Sequence, residues 1–308
     1  MKEIVGKVKL NLDFYEGKDL YSDGDIENEL LNIVKDYDSS QYNDVILDKN
    51  SWAVLYHLSK QRENILKWYP FEKNASILEV GAGCGAVTGA LLDMADIVTA
   101  VELSKKRSLI NAHRHKNNNN LEIMVGNFNI IEKHLGKKYD YITLIGVFEY
   151  AETYMACNSP YITFLDKINS HLKEGGKILI AIENRMGLKY LAGCKEDHVG
   201  KYFEGIEAYP NTRGVKTFTK QELEKLFLGA GYTKYQFYYP YPDYKFPMVI
   251  YSDEFLPKRG ELYNNIRNFD GDRWVLFDET KTFDGIITSG LFPVFSNSFF
   301  IELEKRAD

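Results

Sequence analysis

The chain has 308 residues, of which 44% are hydrophobic and 27% charged, enough apolar material for one large core or two modest ones. A formal net charge of −6 and a pI of about 5.7, with no basic block, exclude a nucleic-acid backbone as the main partner, because such binding rests on clustered Lys and Arg. Three scattered cysteines, Cys84, Cys157 and Cys194, exclude a disulfide framework or a zinc cluster and point to a reducing cytoplasm.

The opening MKEIVGKVKL lacks the apolar stretch of a secretion signal, and no apolar run is long enough to span a membrane. Val8, Leu10, Leu12 and Phe14 alternate with polar residues at the strand period. The polar turn Tyr21-Ser22-Asp23-Gly24-Asp25 then leads into a helix over Ile26 to Val34, so residues 1–50 read as a strand-and-helix extension. A helix over Ser51 to Trp68 carries Val54, Leu55, Leu58, Ile65 and Leu66 on its apolar side until Pro70 stops it, and it could fold back as a lid. The stretch SILEVGAGCGAVTG, Ser76 to Gly89, reads as a buried strand, a glycine turn and a helix. Glycines there let a ligand touch the main chain at the free N–H groups of the next helix, which suits a nucleoside cofactor.

Strands and helices then alternate, the signature of a parallel sheet with helical crossovers. The second strand is Ile97 to Val101, ending in Glu102, and Ser104 caps the helix after it. Leu121 to Val125 and Tyr139 to Ile145 follow as strands. Ser159-Pro160 starts a helix that Gly175-Gly176 is expected to end, and Lys177 to Ile182 is the fifth strand. Glu183 to Thr217 lacks a clean period. Thr219 caps a helix over Lys220 to Leu228, Tyr235 to Tyr239 and Ser298 to Glu304 read as strands, and Pro240 to Asn297 between them reads as irregular.

Gly81, Gly83 and Ala86 satisfy G-x-G-x-x-G/A with Glu102 21 residues beyond Gly81, which leaves a nicotinamide dinucleotide open. Glu79 weighs against it: a carboxylate two residues before the first glycine suits the ammonium of an amino acid and repels a pyrophosphate. The E-V-G-A-G-C-G run, the acid Glu102 and the segments YDYITLIGVFEY and LKEGGKILI together resemble the class I S-adenosylmethionine-dependent methyltransferases. That resemblance implies an α/β, doubly wound, mostly parallel seven-stranded sheet of the Rossmann-like methyltransferase type. Residues 51–182 would be the cofactor core, 183–217 and 240–297 two roof insertions, 218–239 a core continuation and 298–308 the last core strand. It further implies S-adenosylmethionine as cofactor, bound by Glu79, Gly81, Ala82 and Gly83, by Glu102 and Leu103 at the ribose, and by Asn127 and Phe128 at the adenine. Asn127 stands where the family usually has an acid. Gly146, Val147 and Glu149 would lie near the transferable methyl.

The segments AIENRMGLKYLAGCKEDHVG, YYPYPDYKFP and LFPVFSNSFF are similar to those of bacterial methyltransferases found beside or joined to glycosyltransferases in surface-polysaccharide synthesis. The expected reaction is therefore methylation of a hydroxyl on a sugar or glycan intermediate, in the cytoplasm, with a glycosyltransferase partner. A small acidic or phenolic acceptor, or an inactive cofactor-binding scaffold in a glycan-assembly complex, are the competing readings. An alcohol must lose its proton, and His198 in Glu196-Asp197-His198 is the expected base, with Glu149 second; a hydrogen-bonded loop histidine and a helix-start carboxylate are the plainer roles for the two. Tyr241 and Asp243, in a segment with eight aromatic residues from Tyr235 to Tyr251, suit a sugar's faces and hydroxyls, although packing explains the same aromatics. His113, His115 and His134 lack ligand geometry, so no metal is expected.

Overall fold

The computed structural model describes residues 2–19, 24–155, 157–265 and 272–307. The turn expected at Tyr21-Ser22-Asp23 lies outside them, as do residues 266–271 of the second expected insertion. The chain divides into two compact units, Met1–Leu144 with His171–Lys177, and Ile145–Ser170 with Ile178–Asp308.

In the first unit the alternation of apolar residues folds β1 (Lys2–Val5) and β2 (Val8–Phe14) into an antiparallel hairpin, and β2 runs parallel beside a later strand of the same unit. Helices α1 (Ile26–Asp36), α2 (Tyr42–Lys49), α3 (Trp52–Leu58) and α4 (Asn64–Lys67) follow. The single helix expected over Ser51 to Trp68 is thus broken. Ser59 takes an extended backbone and its Oγ accepts from Gln61 N at 3.3 Å, which stops α3 and starts a 3-10 turn. Then come β3 (Ala75–Val80), α5 (Thr88–Met94), β4 (Ala95–Glu102), α6 (Lys105–Arg114), β5 (Leu121–Gly126), α7 (Phe128–Ile131) and β6 (Tyr139–Ile145).

These strands are ordered β1-β2-β5-β4-β3-β6, parallel from β2 onward, and Ile77, Val98, Ile123 and Ile142 bury their side chains completely. The chain moves outward from β3 through β4 to β5 and then returns to the other side of β3. That reversal is the switch point at whose carboxyl edge such sheets take ligands.

In the second unit α8 (Ala151–Tyr154) and α9 (Pro160–Ser170) precede β7 (Leu172–Glu183), whose first six residues belong to the first unit. Gly175-Gly176 does not end a helix: α9 stops at Ser170 and both glycines lie inside β7. A Cβ at Gly176 would stand 3.0 Å from the Asp140 carbonyl oxygen, so the strand needs glycine for close approach. Helix α10 (Leu188–Leu191) and α11 (Lys220–Gly229) come next, then β8 (Tyr235–Tyr241), β9 (Val249–Ser252), α12 (Glu279–Thr288), α13 (Phe292–Phe295) and β10 (Ser298–Glu304). Here the order is β7-β10-β8-β9, with β8 antiparallel to both neighbours.

The described residues therefore hold ten strands where seven were expected, in a mixed rather than mostly parallel arrangement. The hairpin β1–β2 and strand β9 supply the excess; β9, α12 and α13 also give order to the stretch read as irregular. No helix among these residues is long and apolar enough to cross a membrane.

Candidate active site

In the first unit, the ends of β3 and β4 are tied together through the glycine turn. Gly81 N donates to the Val101 carbonyl at 2.8 Å and Gly83 N to Glu102 Oε2 at 2.7 Å, while Glu102 Oε1 accepts from Ser104 N at 2.9 Å. Ser104 in turn caps α6 by accepting from Arg107 N, as its type predicts. At Gly85 a side chain is strained: φ is +77° and a Cβ would fall 2.5 Å from Asn111 Oδ1, so Asn111 would have to shift. At Gly83 the nearest atom to a Cβ is Arg107 at 4.0 Å, so the turn leaves room against its backbone.

Glu79 is 2% exposed; Oε2 accepts from Thr88 Oγ1 at 2.7 Å, whereas Oε1 has no hydrogen-bond partner among the described residues. Burial pushes its carboxyl up to about 8 and also raises that of Glu102. An incoming ammonium would meet the orphaned oxygen of Glu79, and the room at Gly83 and the two oxygens of Glu102 suit a ribose diol, so these residues fit S-adenosylmethionine. Ala82 is buried, and Leu103 and Phe128 are partly exposed beside the same strand ends. Asn127 is less free than its type suggests, since its Oδ1 caps α7 by accepting from Asn129 N at 2.9 Å.

The second unit contains a separate constellation. The segment Glu196–Gly200 is a tight turn in which Glu196 Oε2 accepts from His198 N at 2.7 Å and Val199 N at 2.8 Å, and Gly200 N donates back to the Glu196 carbonyl. Glu196 Oε1 accepts from Tyr209 Oη and faces His198 Nδ1 at 2.9 Å. This fixes the ring with Nε2 pointing at Glu149 Oε1, 3.3 Å away, and at Glu183 Oε2, 3.8 Å away. Next to these lies an ion network: Lys245 Nζ contacts Asp197 and stands 3.0 Å from Glu183 Oε1, and Asp197 also takes Lys189 at 3.0 Å and the Tyr190 hydroxyl.

Burial would push the His198 imidazole down, but Glu183, Glu149 and Glu196 outweigh it and hold the imidazolium well above the ordinary histidine range. Burial raises the Glu149 carboxyl despite the imidazolium beside it. Burial also opposes ionisation of Asp197, yet Lys189 and Lys245 prevail and hold it well below the usual range.

Gly146, with φ +69°, belongs to the same place. A Cβ there would stand 2.9 Å from Tyr244 Oη and 3.7 Å from Glu149 Oε1, and Val147 opens the 3-10 turn that carries Glu149. Of the expected acceptor residues, Asp243 reaches the ion network, with Oδ2 3.7 Å from Lys189 Nζ. Tyr241 is otherwise engaged: it is 5% exposed, its ring packs on Phe283, and its hydroxyl accepts from Asn264 N at 2.7 Å. Glu183 escaped the sequence reading. Its signal was present, for like Glu102 it is an acid at the carboxyl end of a strand, here β7.

A glycine turn after a central parallel strand, flanked by Glu79 and Glu102, defines a nucleoside-binding α/β protein. The chain belongs to the methyltransferase-domain family, whose sequence profile matches residues 54–236. Among solved structures, a SAM-dependent methyltransferase from Archaeoglobus fulgidus is similar with a TM-score of 0.50 and 13% identity, over 80% of this chain and 95% of its own. A possible histamine N-methyltransferase from Thermotoga maritima gives a TM-score of 0.46 and 12% identity, over 86% and 98%. The phosphoethanolamine N-methyltransferase 1 of Haemonchus contortus, in complex with phosphoethanolamine and S-adenosylhomocysteine, gives 0.48 and 14%, over 92% and 49%. None of the curated proteins compared with the chain matches it. The protein is an S-adenosylmethionine-dependent methyltransferase with the Rossmann-like fold of class I.

Proposed function

We propose that this methyltransferase acts on a hydroxyl, that of a sugar or glycan intermediate, and works beside a glycosyltransferase. The observation that carries the reading is the convergence of Gly146, Tyr244, Glu149 and His198, which sets a buried acid–imidazole pair against the glycine that the family resemblance puts near the methyl. The sulfonium cofactor supplies an activated methyl group when bound. Glu79 would hold its ammonium, Glu102 and Leu103 its ribose, Asn127 and Phe128 its adenine, with Gly81, Ala82 and Gly83 offering backbone and Gly146 and Val147 allowing close approach.

A hydroxyl acceptor must also give up its proton. His198 Nε2 is directed at Glu149 Oε1, which leaves Glu149 Oε2, without a hydrogen-bond partner among the described residues, as the lone pair free to take it. In this reading Glu149 is the base and His198 positions it, an inversion of the order expected from sequence. Asp243 would act through Lys189 and Lys245 rather than by open contact, and Tyr241 through packing. Support for a glycan rests on the three similar segments and on the aromatic composition of the second unit.

The test is a turnover assay with S-adenosylmethionine against nucleotide sugars, lipid-linked sugars and phenolic acids, reading the methylated atom by mass spectrometry and NMR. A methyl ether on a sugar is the expected product. Turnover confined to phenolic acids, or methylation at nitrogen, would overturn the acceptor assignment.

A further inference from the structure

We infer that Glu149, Glu183 and His198 form a binding site for one divalent first-row cation of the Zn²⁺ or Mn²⁺ class. One carboxylate oxygen from each glutamate and one imidazole nitrogen lie within 4.8 Å of one another. Atoms bound to a common ion at about 2.0–2.2 Å stand roughly 3–3.6 Å apart at tetrahedral or octahedral angles. The separations of 3.3 Å from His198 Nε2 to Glu149 Oε1 and 3.8 Å to Glu183 Oε2 need only a slight closing.

Two further observations point to a cation. Glu183 is 0% exposed and its Oε2 has no hydrogen-bond partner among the described residues, although the other oxygen faces Lys245. A buried carboxylate oxygen left in that state is costly unless a ligand meets it. Glu196 moreover holds His198 through Nδ1 at 2.9 Å and is itself fixed by two backbone N–H groups and Tyr209. A carboxylate on one ring nitrogen with the other nitrogen facing acids is the arrangement that orients a metal-binding histidine.

Charge agrees. Five carboxylates stand around His198 and the two lysines: Glu149, Glu183 and Glu196 face the imidazole, Glu183 and Asp197 take Lys245, and Asp197 and Asp243 take Lys189. The carboxylates exceed the two ammonium groups of Lys189 and Lys245 by three charges, and a dication beside a neutral imidazole offsets two of them. Binding releases the Nε2 proton to solvent, forms the metal–nitrogen bond in its place, and needs no redox partner. Oxygen and nitrogen donors without sulfur favour Zn²⁺ or Mn²⁺ over soft ions. Glu149 Oε2 stays outside the ligand set, and in the ion-bound form the ion takes the place of the Nε2 proton at Glu149 Oε1. The site stands on its own geometry and does not depend on what is methylated.

The test uses the full chain stripped with chelator, with Zn²⁺ and Mn²⁺ as the only probes and neither cofactor nor acceptor present. One equivalent of ion should bind per chain by dialysis and elemental analysis, and the melting temperature should rise with ion. Glu183→Gln should weaken binding at least tenfold and Glu196→Gln by about 10–100-fold, while His113→Gln changes nothing. X-ray absorption of the wild-type Zn²⁺ form should show nitrogen and oxygen neighbours including an imidazole and no sulfur, a readout that holds even where a variant does not fold. Absence of stoichiometric binding of both ions, unchanged affinity in a folded Glu183→Gln protein, or a sulfur ligand would overturn the site. Failure of the glycan reading would appear only in the turnover assay.

Discussion

Glu79 sits in a condition that a protein does not keep without cause, a buried carboxyl with one oxygen lacking a partner and a pKa pushed by burial to about 8. In the ligand-free protein it holds a proton that the unfolded chain gives up above its ordinary value near 4.5. The folded state then binds more protons, so stability falls as pH rises from about 4.5 through about 8. The contribution lost is of the order of a few kcal/mol, present in full below the lower value and gone above the upper. Thermal melts of wild type and Glu79→Gln across pH 5–8 should diverge, the variant being flatter; identical slopes would remove the assignment. The variant should also bind S-adenosylhomocysteine at least tenfold more weakly, because a neutral amide meets the ligand's ammonium less well than a carboxylate does. Glu102→Ala should cost about 1.5–3 kcal/mol of that affinity, read by calorimetry, if the ribose bonds to a charged group are lost. It should lower the melting temperature as well, since Gly83 N and Ser104 N lose their acceptor.

At the level of elements, the parts that show in the sequence are those whose cause is local. The alternation of Val8 to Phe14 makes β2, the apolar run of Ser76 to Val80 makes β3 almost residue for residue, and Thr219 with Glu222 three residues on forms a reciprocal capping box at the start of α11. Thr219→Ala should therefore cost about 1 kcal/mol in a denaturant titration and leave S-adenosylhomocysteine affinity alone. What does not show depends on distant partners. Ser59 breaks a helix that the apolar spacing of residues 51–68 supports, and Gly175-Gly176 reads as a helix end until β6 is seen beside it. The acid–imidazole constellation is half visible for the same reason: Glu149 and His198 are recognisable as acids and bases, whereas Glu183 joins them only because the Glu196–Gly200 turn brings His198 back to the end of β7. From sequence the aromatic run in β8 suits packing and binding alike, and Tyr241 is buried there with its ring against Phe283. Tyr241→Ala should destabilise by about 3 kcal/mol, as truncation of a buried ring does, in a urea titration; a stable variant with an altered Michaelis constant would return the ring to the acceptor side.

For the molecule as a whole, the residues assigned to the ammonium, ribose and adenine lie in one compact unit, from Glu79 to Phe128, and the acid–imidazole–lysine constellation lies in the other, from Glu149 to Lys245. Residues without shared partners couple by only about 0.3–0.5 kcal/mol. Substitution in the second constellation should accordingly change catalysis without changing cofactor binding. Glu149→Gln keeps the shape of the side chain and removes the basic oxygen proposed to take a hydroxyl's proton, so turnover should fall by roughly 10²–10⁴-fold. His198→Gln withdraws the imidazolium that favours the Glu149 carboxylate and leaves burial and Glu183 to raise its carboxyl further, so its loss should be smaller and its activity profile should move to higher pH. Both variants should bind S-adenosylhomocysteine within about threefold of wild type. Calorimetry and single-turnover kinetics on the same preparations separate the two effects. A parallel collapse of cofactor affinity would mean that the constellation supports the fold around the cofactor, and full activity in Glu149→Gln would mean that the acceptor loses its proton elsewhere.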